Sequence, residues 1–90
     1  LVSLTNIPSK TIRLYCYGNQ LNTLELNNIP SLISLYCHNN ILKSLELNNL
    51  PSLERLDCDV NKLKTLTLNN LPSLENIHYD EQTEIILSNS

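Results

Sequence analysis

The sequence predicts a solenoid of stacked repeats, built mostly of β-strand with little or no helix. The first observation is a 21-residue period, in which Cys16, Cys37 and Cys58 are evenly spaced and Tyr79 takes the next place. The second is the alternation of apolar and polar residues within each unit, which is typical of a strand with one buried face. One such unit cannot bury its apolar row alone, so the units must stack.

Each unit is predicted to contain two short strands joined by two corners. The first strand is the L-x-C segment, whose leucine and cysteine point inward while the residue between them points outward. The second strand is the L-x-L segment on the back of the coil, and a Pro-Ser corner follows it. The 21 residues leave room for at most one turn of 3₁₀ helix.

The whole chain, residues 1–90, is predicted to be a single array of about four coils. Residues 2–9 match residues 24–31 at an offset of 22, so the chain begins halfway through a repeat with one extra residue near Lys10 and Thr11. Neither end carries a polar cap, which predicts a slice of a longer array or ends covered by neighbouring chains. The predicted coils are 1–10 (partial), 11–31, 32–52, 53–73 and 74–90 (degenerate).

The segments "LISLYCHNNIL" and "LERLDCDVNKL" resemble the eleven-residue signature of leucine-rich repeats. The following "KSLELNNLPS" resembles the bacterial, protozoan and giant-virus class, in which that signature is nested with a shorter near-copy of itself. The resemblance covers essentially the whole chain. It implies a right-handed leucine-rich-repeat solenoid with a parallel sheet on the concave side, where partners usually bind, and a second short strand on the back.

Charge and glycine content exclude several function classes. A net charge of −3 with scattered Lys and Arg argues against nucleic acid or an anionic membrane as the partner, and no apolar run is long enough to span a bilayer. With one glycine there is no phosphate-binding loop, and no exposed nucleophile lies beside a base. We therefore expect a protein that is not an enzyme and needs no cofactor.

The three cysteines are predicted to be structural. Their number is odd and no CxxC pair occurs, which favours an intracellular, reducing compartment. Their inward position predicts that Cys16, Cys37 and Cys58 are buried as small apolar side chains. Tyr79, at the next place in the series, is expected to plug the end of the core.

Asparagines recur at both corners of the predicted coil. Asn19, Asn40 and Asn61 follow the first strand, where a side-chain amide can bond backbone groups left unpaired by the turn. Gln82 could do so only approximately. The pairs at 27–28, 48–49 and 69–70 suit the opposite corner, because asparagine tolerates a left-handed backbone.

The outward residues of the concave sheet are predicted to form three columns. Tyrosines dominate toward the N-terminus, and carboxylates with histidines toward the C-terminus. Tyrosine supplies rigid contact area in interfaces, so we expect a protein or peptide ligand here, with the aspartates steering a basic surface. The predicted partner-binding residues are Arg13, Tyr15, Tyr17, Tyr36, His38, Arg55, Asp57, Asp59, His78 and Asp80.

Several alternatives remain open from the sequence. The tyrosines could simply pack along the sheet. The aspartates and histidines could hold a divalent cation, or form ion pairs between His38 and Asp59 and between His78 and Asp57. On the back, Glu25 beside Glu46 is an unfavourable pair that Lys43 could relieve.

The alternative functions concern the array as a whole. One is a structural element whose uncapped coils self-associate in an assembly. The other, which follows from the resemblance, is a pathogen or viral protein acting in a host cytosol, with its enzymatic domain outside this chain.

Overall fold

The protein is a parallel β-solenoid of about three turns, which confirms the predicted fold class. The computed structural model describes residues 3–4, 7–26 and 29–88. No helix occurs among these residues, and therefore none that could cross a membrane. The strands are β1 (Ser3–Leu4), β2 (Arg13–Tyr15), β3 (Thr23–Leu24), β4 (Ser34–Tyr36), β5 (Ser44–Asn48), β6 (Arg55–Asp57), β7 (Thr65–Asn69), β8 (Asn76–His78) and β9 (Glu84–Ser88).

Three parallel sheets cover the coils. The sheet β2-β4-β6-β8, which corresponds to the sheet predicted to be concave, is called here the front sheet. The back consists of β5-β7-β9 and the two-stranded pair β1-β3. In the front sheet the ladder continues past the strand ends, because Cys16 N–H donates to Tyr36 O at 2.9 Å and Gly18 N–H donates to His38 O at 3.2 Å.

The core lies between the front and back sheets. Leu35 and Leu56 come from the front strands and Leu45 and Leu66 from the back strands, and all four are at most 3% exposed. Full burial of one leucine side chain stabilises the fold by about 1.5–3 kcal/mol, so the leucine rows are the main source of stability. On β5 the residues that alternate with the leucines, Ser44 and Glu46, are exposed, as the two-residue period of a strand requires.

A row of asparagines holds the corner after each front strand. The Asn40 amide nitrogen donates to the carbonyls of Cys16 and Cys37 at 3.1 and 3.0 Å, and its oxygen accepts from Leu21 N–H at 3.0 Å. Asn61 repeats this arrangement one coil later, with Leu42 N–H as its donor. Each amide therefore bonds two coils together while closing its own turn.

The opposite corner is a tight turn with proline at its second position. The N–H of Leu53 donates to the carbonyl of Leu50 at 3.2 Å across Pro51 and Ser52, and the turns around Pro30 and Pro72 close in the same way. Proline suits this position because its ring presets φ. Asn49 and Asn70, just before these turns, both have φ of 54°, while the equivalent pair at 27–28 lies outside the described residues.

The N-terminal register differs from the prediction. The 22-residue offset would place Leu4 beside Leu26, whereas Leu4 pairs with Leu24, an offset of 20. A shift by two residues keeps the side chain on the same face of the strand, so the inward pattern cannot tell the two registers apart.

The last coil is shorter than predicted. β8 keeps the 21-residue step, with Ile77 beside Leu56, but β9 pairs Ile85 with Leu66, a step of 19. The two missing residues come from the corner between them. Consequently Gln82 is exposed in a turn and takes no part in the asparagine row, and Tyr79 is 46% exposed, so its prediction as a core plug was wrong.

The back sheet is interrupted between β3 and β5. Across this junction the isolated bridge between Leu26 and Leu47 is the one pairing found in the described residues. A cleft of about 290 Å³ lies along it and is lined by both Glu25 and Glu46. Like charges one strand apart repel each other, which disfavours close pairing at this junction. Lys43 forms no ion pair within the described chain, so it does not provide the predicted relief.

We expect Asn40→Ala to lower the free energy of unfolding by about 3 kcal/mol, because buried carbonyls and one N–H lose their partner. Asn19→Ala should cost only about 1 kcal/mol, since that amide makes bonds to Cys16 and Tyr17 at a half-buried site. Urea denaturation of the two variants measures the difference. Equal losses would contradict the ladder as a buried, coil-bridging element.

Val60 is expected to be a strained position whose replacement stabilises the protein. Its φ is 51°, in the column where Gly18 and Asn39 also have positive φ, and a β-branched residue is unfavourable there. Val60→Asn should raise the free energy of unfolding by about 1 kcal/mol. The matched control is Ile41→Asn, an exposed branched residue without positive φ, which should give no gain. A gain in both variants would show that replacing an exposed apolar side chain with asparagine is the cause, and not relief of backbone strain.

Candidate recognition surface

The N-terminal half of the front sheet carries four aromatic rings in two stacks, called here the aromatic block. The rings of Tyr15 and Tyr36 lie 4.9 Å apart with an interplanar angle of 3°. Those of Tyr17 and His38 lie 4.8 Å apart at 4°. Both spacings match the roughly 4.8 Å between neighbouring strands, so the backbone ladder itself brings the rings into contact.

The aromatic block is solvent-exposed at its first coil. Tyr15 is 60% exposed and Tyr17 is 51% exposed, whereas Tyr36 and His38 are half-buried beneath the next coil. Stacking restrains the rings without hiding them. The arrangement therefore presents a rigid apolar surface edged by hydroxyl groups, which is the kind of surface that aromatic contacts in interfaces use.

The sequence placed Asp57 among the residues open to a partner, but the structure largely encloses it. Asp57 is 9% exposed, and an Arg55 Nη2 lies 3.3 Å from its Oδ2. The same guanidinium lies over the Tyr36 ring, 5.8 Å from the centroid. His78 Nε2 is 4.0 Å from Asp57 Oδ1, at the limit of an ion pair. The Asp57 carboxylate thus lies against Arg55 and His78 of its own chain.

Asp80 is also used internally. Its two carboxylate oxygens accept from the N–H groups of Val60 and Asn61 at 3.0 and 3.1 Å. One coil earlier, the N–H equivalent to that of Val60 donates to a backbone carbonyl, because Asn39 N–H donates to Asp59 O at 3.2 Å. Asp80 therefore caps the shortened last coil, and little of its charge is free to attract a partner.

Asp59 keeps its carboxylate available. It is half-buried, and no Lys, Arg or His of the described residues lies within ion-pair distance of it. The predicted pair between His38 and Asp59 is therefore wrong, because the His38 ring stacks on Tyr17 instead. Arg13, at the start of the exposed first strand, likewise forms no ion pair in that part of the chain.

Three polar atoms in the middle of the front sheet are buried without a hydrogen-bond partner within the described structure. They are Nδ1 of His38, Nε of Arg55 and Oδ1 of Asp57. An unsatisfied buried polar atom costs about 1–3 kcal/mol, so such atoms are rarely left in surfaces that serve stability alone. The centre of the sheet is polar and incompletely bonded, in contrast to the fully satisfied asparagine row.

The cysteines are buried and chemically inert. All three are free thiols, and burial raises the pKa of Cys16 to about 11. For Cys58, burial and then the charges of Asp59, Asp80 and Asp57 raise the pKa to about 12. The pKa of Cys37 is also well above its ordinary value, chiefly through burial. A thiol without thiolate character is neither a nucleophile nor a metal ligand.

No group of three His, Cys, Asp or Glu side chains in residues 3–4, 7–26 and 29–88 converges as a metal site would require. A groove of about 620 Å³ on the proline corner was not predicted from the sequence. The prolines that line it recur at the same 21-residue step as the cysteines, so this spacing could have indicated it. The groove is lined by Ser9, Pro30, Asn49, Pro51, Asn70 and Pro72.

The front sheet thus divides into the aromatic block and a charged strip formed by Arg55, Asp57, Asp59 and His78. No protein-family model, curated protein or solved structure matches this chain.

We expect the three thiols to react with dithiobis-nitrobenzoate at least about a hundredfold more slowly in the native protein than in guanidinium chloride, because modification requires the core to open. The matched control is Ser44→Cys, which adds one exposed thiol on the back and should react at once. Absorbance of the released thionitrobenzoate measures both rates. Rapid reaction of the native wild-type protein, which lacks the added cysteine, would contradict a closed core.

Proposed function

We propose that this protein is a non-enzymatic recognition module that binds a protein or peptide partner on the front sheet. The observation that supports this most directly is the aromatic block, in which Tyr15 and Tyr17 are more than half exposed yet held in parallel stacks. The resemblance to leucine-rich repeats favours the same surface.

The stacking lowers the cost of binding. A flexible side chain loses about 0.5–1.5 kcal/mol of rotamer freedom when a partner immobilises it. Tyr15 and Tyr17 already rest against the rings of the following coil, so most of this loss has occurred before the partner arrives. Tyrosines of this kind are common among the residues that dominate binding energy.

The charges of the front sheet would orient the partner. Because Asp57 is neutralised by Arg55 and Asp80 bonds backbone N–H groups, Asp59 is the acidic residue that we propose steers a basic partner. The three free thiols suit an intracellular, reducing compartment, and we include that location in the proposal.

A second candidate function, assembly through the last coil, is favoured by a specific exposure. Leu87 on β9 is 72% exposed although its partner Leu68 in the ladder is buried, and Ile86 beside it is 42% exposed. Apolar side chains exposed on a strand of this kind favour association with another strand. In this case the partner would contact β9, on the back sheet.

The recognition function predicts that a double variant, Tyr15→Ala/Tyr17→Ala, loses partner affinity by at least about tenfold, since two exposed anchors are removed. The measurement is capture of partners by the immobilised chain from lysate of the source organism or its host, followed by titration of the captured protein.

The matched control is Lys43→Ala/Ile86→Ala, two exposed changes on the back that should leave the affinity unchanged. Circular dichroism confirms that all variants are folded. If binding is lost only in the back-face control, or if the captured species is the same chain, the assembly function replaces recognition.

A further inference from the structure

The front sheet contains an internal example of how it holds a guanidinium. In one column the Tyr15 and Tyr36 rings stack, and the next coil carries Asp57 in place of a third ring. The Arg55 guanidinium lies over the Tyr36 ring, 5.8 Å from its centroid, and contacts the Asp57 carboxylate at 3.3 Å. Ring, guanidinium and carboxylate form one unit.

The adjacent column repeats the ring and the carboxylate but lacks the guanidinium. Tyr17 and His38 stack just as Tyr15 and Tyr36 do, and the next coil carries Asp59 at the following place in the ladder. Arg55 reaches the first carboxylate from two residues earlier on the same strand. The residue two before Asp59 is Asp57, which cannot supply a cation.

No other base of the chain supplies it. All six Lys and Arg residues lie in the described part of the chain, and within that part Arg55 is the one that forms an ion pair. His38 and Asp59 occupy successive places in this column and are together called here the Asp59 niche, which combines an aromatic ring with a carboxylate that has no ion-pair partner in the described residues.

We propose that the Asp59 niche binds the guanidinium of an arginine side chain from the partner. The proposal rests on the proposed function, because it assigns the chemistry of the residue that the front sheet recognises. Arginine fits better than lysine, since its planar group can stack on the ring while its N–H groups donate to the carboxylate. The Asp57 charge is compensated by Arg55 and the Asp80 oxygens accept from backbone N–H groups, which leaves Asp59 as the carboxylate without such a partner in the described residues.

The charge balance of the sheet favours this occupant over an acidic or neutral one. A carboxylate brought to the niche would be repelled by Asp59, which has no ion-pair partner within the described residues. A neutral aromatic ring would cover Asp59 and leave a buried, unpaired charge, which is costly. A guanidinium satisfies the carboxylate and adds a stacking contact of the same kind that the protein already makes with Arg55.

The test titrates the full chain with Nα-acetylarginine amide, which carries the guanidinium without other charges, and with Nα-acetyllysine amide at equal ionic strength. NMR follows the His38 imidazole and the Asp59 carboxyl carbon. We expect saturable shifts at both groups with the arginine probe, with a dissociation constant on the order of 10 mM for one exposed contact, and at least about threefold weaker binding of the lysine probe.

Two substitutions isolate the parts of the niche. Asp59→Asn should weaken the arginine probe at least about fivefold, because the ion pair is lost while the shape is kept. His38→Phe should retain binding, since a phenyl face still stacks on the cation. The matched control Glu46→Gln removes a carboxylate from the back and should leave the titration unchanged. Shifts of equal size for both probes, or shifts that persist in Asp59→Asn, would overturn the proposal.

The niche and the proposed function fail in different ways. If the arginine probe binds at Asp59 but no partner is retained by the wild-type chain, the niche stands and the recognition function falls. If wild type and Asp59→Asn retain a partner equally and the probe does not bind, recognition stands and the niche falls. If Asp59→Asn weakens both the probe and the partner, both are supported.

Discussion

The structure depends on one constraint, the parallel backbone pairing that sets each coil about 4.8 Å above the one before it. Because this step repeats, every side chain lies directly beside the residue at the same place in the next coil, as Leu35 lies beside Leu56. A residue type can recur in one column only if it can contact a copy of itself. Leucine, asparagine and tyrosine meet this condition, through burial, amide hydrogen bonds and ring stacking respectively.

Charged residues do not meet the condition, and the protein treats each case differently. On the back, neither Glu25 nor Glu46 forms an ion pair within the described residues, the Asn48 amide donates to Glu46 at 3.0 Å, and the ladder is interrupted between β3 and β5. On the front, Asp57 is compensated by Arg55, and Asp80 turns its oxygens to backbone N–H groups. Asp59 receives neither form of compensation from the described residues. That difference, and not the number of acidic residues, distinguishes it from its neighbours.

The period predicted most of the fold, because the three full coils keep the 21-residue step and the front-sheet columns follow from it. It failed at the two ends, where Leu4 and Ile85 pair at steps of 20 and 19. Residues gained or lost in a corner change the register without changing which residues point inward, so sequence alone cannot locate them. The side-chain rotamers could not be predicted from the sequence either. The columns placed Asp57 and Asp80 on the outward face. They did not predict that Arg55 contacts Asp57 or that Asp80 accepts from Val60 N–H.

A perfect repeat would present the same surface at every coil and could not fix the position of a partner. Specific recognition therefore depends on places where the period changes residue type while the backbone stays regular. On the front sheet that place is the step from rings to carboxylates between β4 and β6, where Tyr36 is followed by Asp57 and His38 by Asp59. Here a rigid apolar surface ends against negative charge within one strand spacing. Under the proposed function, a partner that carries an apolar group next to a cation would satisfy both sides of this step in only one register.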